Sequence, residues 1–213
     1  FKLRGAYNKI SGLTPSQAAP GVIAASAGNH AQGVALSAHK LGIKAQVVMP
    51  QTTPEIKVNA VQRWGARTIL HGDTYDEAEA RALALAQDRG LTYIHPYDDG
   101  EVIAGQGTIA MEILRQHSGP LHAVFVPVGG GGLIAGIAAY IKTLRPEVKI
   151  IGVEPEDAAS LHTALRRGRR VRLDHVGIFA DGVAVRQIGK EPFRLARKLV
   201  DEVVLASVDE ICA

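Results

Sequence analysis

The sequence predicts an α/β protein in which parallel, twisted sheets are flanked by helices. Short apolar runs that suit strands alternate with longer segments of helical periodicity. Glycines follow two of the helical segments at positions typical of helix C-caps, Gly42 and Gly90. No period of 20–50 residues repeats. Strand–helix–strand alternation is typical of parallel sheets with helical crossovers, so this fold class is the expectation.

The predicted elements run along the whole chain. Seven strands are predicted, at 22–25, 45–49, 68–70, 92–94, 123–128, 149–153 and 203–206. Seven helices are predicted, at 30–41, 54–64, 75–89, 102–117, 133–144, 158–166 and 192–199. Asp73 or Thr74 can cap the third of these helices, and Pro54 suits the start of the second.

The end of the chain carries a signal of its own. Ser207 and Glu210 have capping-box spacing, which predicts that a helix begins there. Few residues follow this signal, so we expect the chain to be a fragment of a longer catalytic domain.

Composition narrows the functional classes. The chain has 213 residues and a net charge of +3, which allows one or two domains and does not by itself predict nucleic-acid binding. No apolar run approaches the roughly 20 residues of a membrane span. Cys212 is the only cysteine, which excludes internal disulfides and favours a reducing, cytoplasmic location. One basic cluster is predicted to be a solvated turn, formed by Arg166, Arg167, Arg169, Arg170 and Arg172.

A run of four glycines joins a predicted strand directly to a predicted helix. It comprises Gly129, Gly130, Gly131 and Gly132, followed by Leu133. Glycines let backbone amides approach an anion, and the helix start adds its positive dipole end, so the loop suits a phosphate. A turn without a ligand is the alternative.

Two nucleotide sites compete with this interpretation. No Gly-Lys-Ser/Thr follows the loop, which disfavours an ATP P-loop. Gly130, Gly132 and Gly136 approach the dinucleotide spacing, but no acidic residue stands at the end of the next strand except Glu154. A nicotinamide site is therefore a weak rival.

A second strand-to-helix loop is polar. It comprises Ser26, Ala27, Gly28, Asn29 and His30. Its amides and the Ser26 hydroxyl could hold a carboxylate, and Asn29 could donate to a phenolate-like oxygen. A capping loop without a substrate is the alternative. Both special loops follow strands at their carboxyl ends, where ligands bind in such folds.

The role of Lys2 is inferred from these loops and from other segments of the sequence. The chain opens with Phe1-Lys2-Leu3-Arg4-Gly5-Ala6, and later contains Gly105-Gln106-Gly107-Thr108, Gly152-Val153-Glu154 and Phe179-Ala180-Asp181-Gly182-Val183-Ala184-Val185. Together with the two loops, these segments resemble the fold-type II enzymes that depend on pyridoxal 5'-phosphate (PLP). The resemblance is closest to the threonine dehydratase (threonine ammonia-lyase) family, biosynthetic type, and it spans essentially the whole chain.

The resemblance implies a two-domain fold like that of the tryptophan synthase β subunit. Residues 1–20 and 101–213 would belong to an incomplete large PLP-binding domain, and residues 21–100 to a small substrate-loop domain. Lys2 would carry PLP covalently and act as the catalytic base. Asn29 and Gly182 would also contact the cofactor, and Ser26, Ala27, Gly28, Asn29 and His30 would bind substrate. The cofactor phosphate would be held by Gly129, Gly130, Gly131, Gly132 and Leu133.

The implied reaction is the conversion of L-threonine to 2-oxobutanoate and ammonia, the first step towards isoleucine. The implied partners are a small amino acid and further copies of the chain, as a dimer or homotetramer, with no nucleic acid or membrane. The alternatives are an L-serine or hydroxy-aspartate dehydratase of the same fold, or a binding module that holds a phosphate ligand without catalysis.

Two departures from related families limit these implications. Serine racemases have a second serine in the polar loop as a base for the other face of the substrate, and this chain has Ala27 there. They also bind a divalent cation through acidic residues after the Gly-Val-Glu strand. Glu154 matches and the Ala158 carbonyl could contribute, but Ser160 stands where the second acid is expected. We therefore expect weak racemisation and no metal site. The serine that meets the pyridine nitrogen and the isoleucine-sensing domain of the family have no counterpart here.

Overall fold

The computed structural model describes residues 1–177 and 179–213, which form two compact units, Phe1–Pro96 and Tyr97–Ala213. Residues 1–20 fall in the first unit. The assignment of residues 1–20 and 101–213 to one large domain, and of 21–100 to a small one, stays a prediction.

The first unit is a four-stranded parallel sheet with helices. The strand order is β3-β2-β1-β4, and every neighbouring pair is parallel. Its strands are β1 (Val22–Ala25), β2 (Ala45–Met49), β3 (Arg67–Leu70) and β4 (Thr92–Tyr93). Its helices are α1 (Lys2–Ser11), α2 (Pro15–Ala18), α3 (Asn29–Leu41), α4 (Glu55–Gln62) and α5 (Tyr75–Arg89). The parallel sheet predicted from the alternation is confirmed.

One hydrophobic cluster of this unit lies between the sheet and α5. All four residues of β1 are buried, as expected for a central parallel strand. Ile23 and Val48 of the sheet pack with Ala78, Ala82 and Leu85 of α5. Burial of these side chains contributes about 25 cal/mol per Å² of apolar surface, which stabilises the scaffold behind the polar loop at residues 26–30.

The helix-end signals of the sequence are confirmed in this unit. Thr74 and Glu77 form a reciprocal capping box at the start of α5. Gly42 and Gly90 end α3 and α5 in the left-handed conformation, with φ of 67° and 63°. Only glycine adopts this conformation without steric cost, so both helices end where the sequence predicts.

The second unit is a three-stranded parallel sheet of order β5-β6-β7. Its strands are β5 (Ala123–Pro127), β6 (Lys149–Pro155) and β7 (Glu202–Ala206). Its helices are α6 (Gly100–Gln116), α7 (Gly132–Leu144), α8 (Ser160–Arg167), α9 (Lys190–Leu199) and α10 (Val208–Cys212), with 3-10 turns at Glu156–Ala158 and Asp181–Val183. The capping box of Ser207 and Glu210 is present at the start of α10.

Helices α6 and α7 pack backbone to backbone. A Cβ atom added at Gly136 would lie 2.4 Å from the Ile103 carbonyl oxygen and 2.7 Å from the Gly107 nitrogen. Only glycine fits at this crossing, which fixes α7 and therefore the loop that precedes it. Apolar residues of α7, including Ile134 and Ile141, complete the core of this unit.

Two helices were not predicted, α1 and α2. Buried residues of α1 are Gly5, Ala6 and Ile10, and two of these three are too small to give a clear apolar period. The N-cap Thr14 and Pro15 of α2 are good start signals, but this helix has only four residues. The other predicted elements occur within about two residues of their expected ends. Among the described residues, no helix combines the length and hydropathy needed to cross a bilayer.

Candidate active site

Lys2 is the first residue of α1. Its Nζ atom donates a hydrogen bond to the carbonyl oxygen of Pro96 at 2.6 Å. Burial lowers the pKa of the Lys2 ammonium from 10.5 to about 8, because desolvation disfavours the charged form. Near neutral pH an appreciable fraction of this amine is therefore uncharged, and an uncharged amine is both a nucleophile and a base.

The backbone of Lys2 is held against α3. A Cβ atom added at Gly33 would lie 3.1 Å from the Lys2 carbonyl carbon and 3.1 Å from the Leu3 nitrogen. The absent side chain at Gly33 therefore lets α1 lie directly on α3, whose first turn carries Asn29 and His30. This close approach brings Lys2 to the helix that follows the polar loop.

An open cavity of about 290 Å³ lies where α1 and α3 meet. Lys2 and Asn29 both line it, so the structure brings these two predicted site residues together. The other lining residues are Phe1, Leu3, Gln32, Gly33, Leu36 and Trp64. Gln32, Gly33 and Trp64 could not be predicted as neighbours of Lys2, because nothing in the sequence indicates that α1 crosses α3.

The polar loop connects β1 to α3. The Ser26 Oγ accepts a hydrogen bond from the Gly28 nitrogen at 3.2 Å. Gly28 is the N-cap of α3, and glycine has no side chain with which to cap this helix. The amides of the first turn are therefore available to an anion such as a carboxylate. Ser26 and Ala27 are half-buried and Asn29 is exposed.

His30 is buried beneath this loop, with 3% of its surface exposed. Its Nε2 atom lies 2.8 Å from the carbonyl oxygen of Ile94. Because a carbonyl only accepts, Nε2 must carry the proton, which leaves Nδ1 as an acceptor. No described residue bonds this buried Nδ1. Burial, together with the nearby Lys2 charge, lowers the pKa of His30 to about 3, so the ring is neutral near pH 7.

The glycine loop lies in the second unit, between β5 and α7. Gly131 is the N-cap of α7 with φ of 88°, a conformation that favours glycine. Gly130 is just as restricted, because an added Cβ atom would lie 2.3 Å from the Tyr97 ring. Among the described residues no side chain caps α7, so its first amides are available to a phosphate.

Gly182 belongs to the 3-10 turn at Asp181–Val183 and is exposed. The next residue, Val183, packs on the glycine loop: a Cβ atom added at Gly129 would lie 3.1 Å from the Val183 Cα. Gly182 therefore lies near the glycine loop within the second unit. Lys2 and the polar loop lie in the first unit.

Glu154 is fully buried at the end of β6. Its two carboxylate oxygens accept hydrogen bonds from the backbone nitrogens of Leu161 and His162, each at 2.8 Å, and the Ser160 hydroxyl lies 3.4 Å away. Desolvation raises the pKa of Glu154, and these hydrogen bonds oppose the shift. The carboxylate that resembles a cation ligand therefore holds the start of α8. In the described part of the chain, no group of three His, Cys, Asp or Glu is arranged to hold a metal ion.

A larger cavity, of about 470 Å³, lies elsewhere in the second unit. Its polar lining residues include Glu156, Asp157, Thr163 and His175. None of the predicted site residues lines it, so size alone does not identify the candidate site.

Comparison with known families separates the rival interpretations of these loops. The family model described as "Pyridoxal-phosphate dependent enzyme" matches residues 1–213. The chain belongs to this family of PLP-dependent enzymes. The match covers both loops and Lys2, and it excludes the nicotinamide and P-loop alternatives for the glycine loop.

Individual relatives extend this result. The chain is 63% identical to the biosynthetic, chloroplastic threonine dehydratase of Arabidopsis thaliana over 213 residues, all of this chain and 36% of the relative. It is 53% identical to the processed form of threonine deaminase isoform 2 from Solanum lycopersicum, with a TM-score of 0.95, covering 97% of this chain and 56% of that structure. Maize serine racemase is 33% identical with a TM-score of 0.92, covering 97% and 62%.

These relatives confirm the resemblance to threonine dehydratases and the fold-type II architecture of this PLP enzyme. The chain spans about a third of the length of the Arabidopsis relative. PLP is the cofactor of the family, and the identities of the residues that hold it here stay predictions.

The geometry of the described residues suits the cofactor of this family. PLP needs a primary amine for covalent attachment and a set of donors for a phosphate dianion. Lys2 supplies an amine whose pKa is lowered to about 8. Among the described residues no side chain caps α7, so its first turn supplies backbone donors. Gly130 and Gly131 precede this turn, and Cβ atoms added to them would collide with Tyr97 and Ile188. Both requirements are therefore met by residues of this chain.

Proposed function

We propose that this chain carries out the dehydration and deamination of L-threonine to 2-oxobutanoate and ammonia, as an ammonia-lyase that uses PLP. The observation that carries the proposal is Lys2, whose amine has a pKa lowered to about 8 and which lines a cavity together with Asn29, the first residue of α3. The similarity to threonine dehydratases over the entire chain supports the choice of substrate.

In this proposal, Lys2 attaches PLP, and the backbone of Gly129, Gly130, Gly131, Gly132 and Leu133 holds the cofactor phosphate. Asn29 donates to the ring hydroxyl oxygen, and Gly182 lies beside the cofactor. When bound, PLP supplies an electron sink for the pair that is left when the substrate loses its α-proton.

The polar loop binds the substrate. Amides at the start of α3 and the Ser26 hydroxyl face the carboxylate, where the positive end of the helix dipole favours a negative charge. Ala27 and Gly28 place no charged side chain in the loop, so the substrate carboxylate meets no competing acid there. The neutral His30 ring beneath the loop adds no charge either, which leaves orientation to the backbone donors.

Lys2 moves the proton. Its Nζ takes the proton from the substrate Cα, which the uncharged form of the amine, about half of the population near pH 8, can do. The protonated Lys2 can return this proton to the hydroxyl on Cβ, which leaves as water while a double bond forms between Cα and Cβ. Hydrolysis of the released enamine gives 2-oxobutanoate and ammonia, so the overall reaction consumes no oxidant or reductant.

Three further properties belong to the proposal. We infer a homo-oligomer, a dimer or tetramer, a cytoplasmic location, and a role in isoleucine biosynthesis. The word "biosynthetic" in the name of the Arabidopsis relative supports the last of these. Location varies among relatives, since that name includes "chloroplastic" and the name of a Saccharomyces cerevisiae relative includes "mitochondrial".

A product assay tests the proposed function. Purified protein with PLP is given L-threonine, L-serine and 3-hydroxy-aspartate in parallel, and 2-oxobutanoate, pyruvate and oxaloacetate are measured. We expect the highest kcat/KM for threonine. A preference for serine or hydroxy-aspartate indicates the related dehydratases instead, and the absence of product with all three amino acids indicates a binding module.

A second experiment tests the role of Lys2. Borohydride reduction followed by peptide mapping should place the cofactor on Lys2. Lys2→Ala should lose turnover while retaining the fold, as shown by an unchanged circular dichroism spectrum. Full activity of this variant would remove Lys2 from the mechanism.

A further inference from the structure

Asp98 lies beside the glycine loop and holds the start of α9. Its Oδ2 accepts a hydrogen bond from the Lys190 nitrogen at 2.7 Å, and its Oδ1 accepts one from the Glu191 nitrogen at 2.8 Å. Both oxygens are thus used on the first turn of a helix 92 residues away along the chain. A carboxylate is well suited to this place, because the positive end of the helix dipole stabilises its charge.

The segment before α9 bonds directly to the glycine loop. The Gly189 nitrogen donates to the Gly130 carbonyl oxygen at 3.1 Å. Gly189 lies directly against Asp98, since an added Cβ atom at Gly189 would be 3.0 Å from the Asp98 Cγ. Ile188, which is fully buried, touches the loop at Gly131, where an added Cβ atom would lie 2.4 Å from the Ile188 Cδ1.

The residue before Asp98 covers the same loop from another direction. A Cβ atom added at Gly130 would lie 2.3 Å from the Tyr97 ring, and one added at Gly132 would lie 3.0 Å from the Tyr97 Cα. Residues 97–98 and residues 188–192 therefore enclose the glycine loop, and the two Asp98 hydrogen bonds connect these segments.

We propose that Asp98 is a positioning residue for the phosphate-binding loop. Its carboxylate fixes the start of α9, and through Gly189 it fixes the Gly130 carbonyl, so that the neighbouring amides are set for a phosphate before it binds. Preset donors bind more tightly because no ordering of the loop is required on binding. This inference rests on the proposed function, in which the glycine loop holds the PLP phosphate.

The test separates the phosphate from the rest of the cofactor. Protein freed of cofactor is titrated with PLP and with pyridoxal, which has the same aldehyde and ring but no phosphate. For Asp98→Ala we expect the Kd for PLP to rise about tenfold, the effect of losing a helix cap with two bonds. The Kd for pyridoxal should stay within about twofold of the parent value, because the loop's amides contribute nothing to a ligand that has no phosphate.

The neighbouring aspartate provides a matched control. Asp99 caps α6 through the nitrogens of Glu101 and Val102, at 2.9 and 3.1 Å. Asp99→Ala loses an equivalent cap on a helix that also packs on α7. We expect the ratio of the Kd for PLP to the Kd for pyridoxal to be the same in Asp99→Ala as in the parent, even if the thermal stability of the variant falls.

Asp98→Asn is the milder variant if Asp98→Ala does not fold. It keeps one of the two acceptor oxygens, so its Kd for PLP should lie between those of the parent and Asp98→Ala. If both variants bind PLP like the parent, or if PLP binding and pyridoxal binding are weakened equally, the role of Asp98 is overturned. The proposed function is not affected by either result. If the parent itself binds pyridoxal as tightly as PLP, the glycine loop does not hold the phosphate, and the proposed function loses its phosphate site as well.

Discussion

The Lys2 amine donates a hydrogen bond to the Pro96 carbonyl oxygen at 2.6 Å, across 94 positions of sequence. This bond and the burial around it hold an amine of lowered pKa at the start of α1. A nearby carboxylate would instead raise the pKa of a lysine, so a carbonyl partner is compatible with an amine that must lose its proton.

The first prediction concerns the pH dependence of cofactor attachment. Only the uncharged amine reacts, so the rate at which cofactor-free protein incorporates PLP should rise with pH and level off above about 8, the pKa of Lys2. Growth of the visible absorbance band from pH 6 to 10.5 measures this rate. Free Nα-acetyl-lysine is the control, with a midpoint near about 10.4. A protein midpoint equal to that of the control contradicts the lowered pKa.

A second prediction concerns the contact between Gly33 and α1. Overpacking in Gly33→Ala should lower the free energy of unfolding by about 1–3 kcal/mol. The higher helix propensity of alanine should offset roughly 1 kcal/mol of this loss. The added methyl group would lie 3.1 Å from backbone atoms of Lys2 and Leu3. Urea unfolding measures the change.

Gly12→Ala is the control for Gly33, because its added Cβ atom would make only ordinary contacts, at 3.5 Å and beyond. Its stability should stay within about 0.5 kcal/mol of the parent. If the two alanine variants are equally stable, α1 and α3 are not held in the close contact described above.

His30 leads to a third prediction, on acid stability. The folded pKa is about 3 and the unfolded value about 6.5, so below pH 6.5 the unfolded chain binds the proton more readily. The contribution of His30 to the free energy of unfolding is fully present above pH 6.5 and falls as the pH drops towards 3. At pH 4.5 the loss should be about 2–3 kcal/mol.

Urea unfolding at pH 7 and pH 4.5 should therefore show a smaller difference for His30→Gln than for the parent. His39→Gln is the matched control, since His39 lies on the same helix but is exposed, and it should behave like the parent. Nitrogen NMR of the ring should show a proton on Nε2 and no titration from pH 5 to 9. A midpoint near 6.5 would show that His30 is solvated.

The fourth prediction concerns the buried Glu154. Glu154→Ala should destabilise the protein by about 2 kcal/mol, because the backbone nitrogens of the buried Leu161 and the half-buried His162 lose the carboxylate that accepts their hydrogen bonds. Relief of the buried charge offsets part of this loss. Thermal and urea unfolding measure it. Glu156→Ala, an exposed neighbour, should change stability by less than about 0.5 kcal/mol, and a comparable effect at both positions argues against the capping role.

The fifth prediction concerns the reaction outcome. Maize serine racemase shares this fold at a TM-score of 0.92, so the fold does not decide between elimination and racemisation. A methyl group cannot transfer a proton, so Ala27 should prevent proton delivery to the other face of the substrate. Chiral chromatography after incubation with L-serine should detect no D-serine above the level without enzyme. Ala27→Ser should raise that level, and substantial D-serine from the parent would refute the role assigned to Ala27.

Local sequence determined much of this protein. The alternation of apolar runs and helical segments gave the parallel sheets, because strand and helix periodicities are properties of short segments. Gly42, Gly90, Thr74 and Ser207 marked helix ends, because capping depends on residues within one turn. The glycine and polar loops were recognisable for the same reason, since a strand, a loop and a helix start follow one another in sequence.

Only the tertiary structure decided which distant groups meet. Nothing near Asp98 in the sequence indicates that its carboxylate holds Lys190 and Glu191, and nothing near Lys2 indicates Pro96 as its acceptor. The contact of Gly33 with α1 likewise depends on how two helices cross. Such contacts follow from packing of whole elements around a shared core, which no local pattern encodes. The lowered pKa values of Lys2 and His30 have the same origin, because burial is a property of the folded chain.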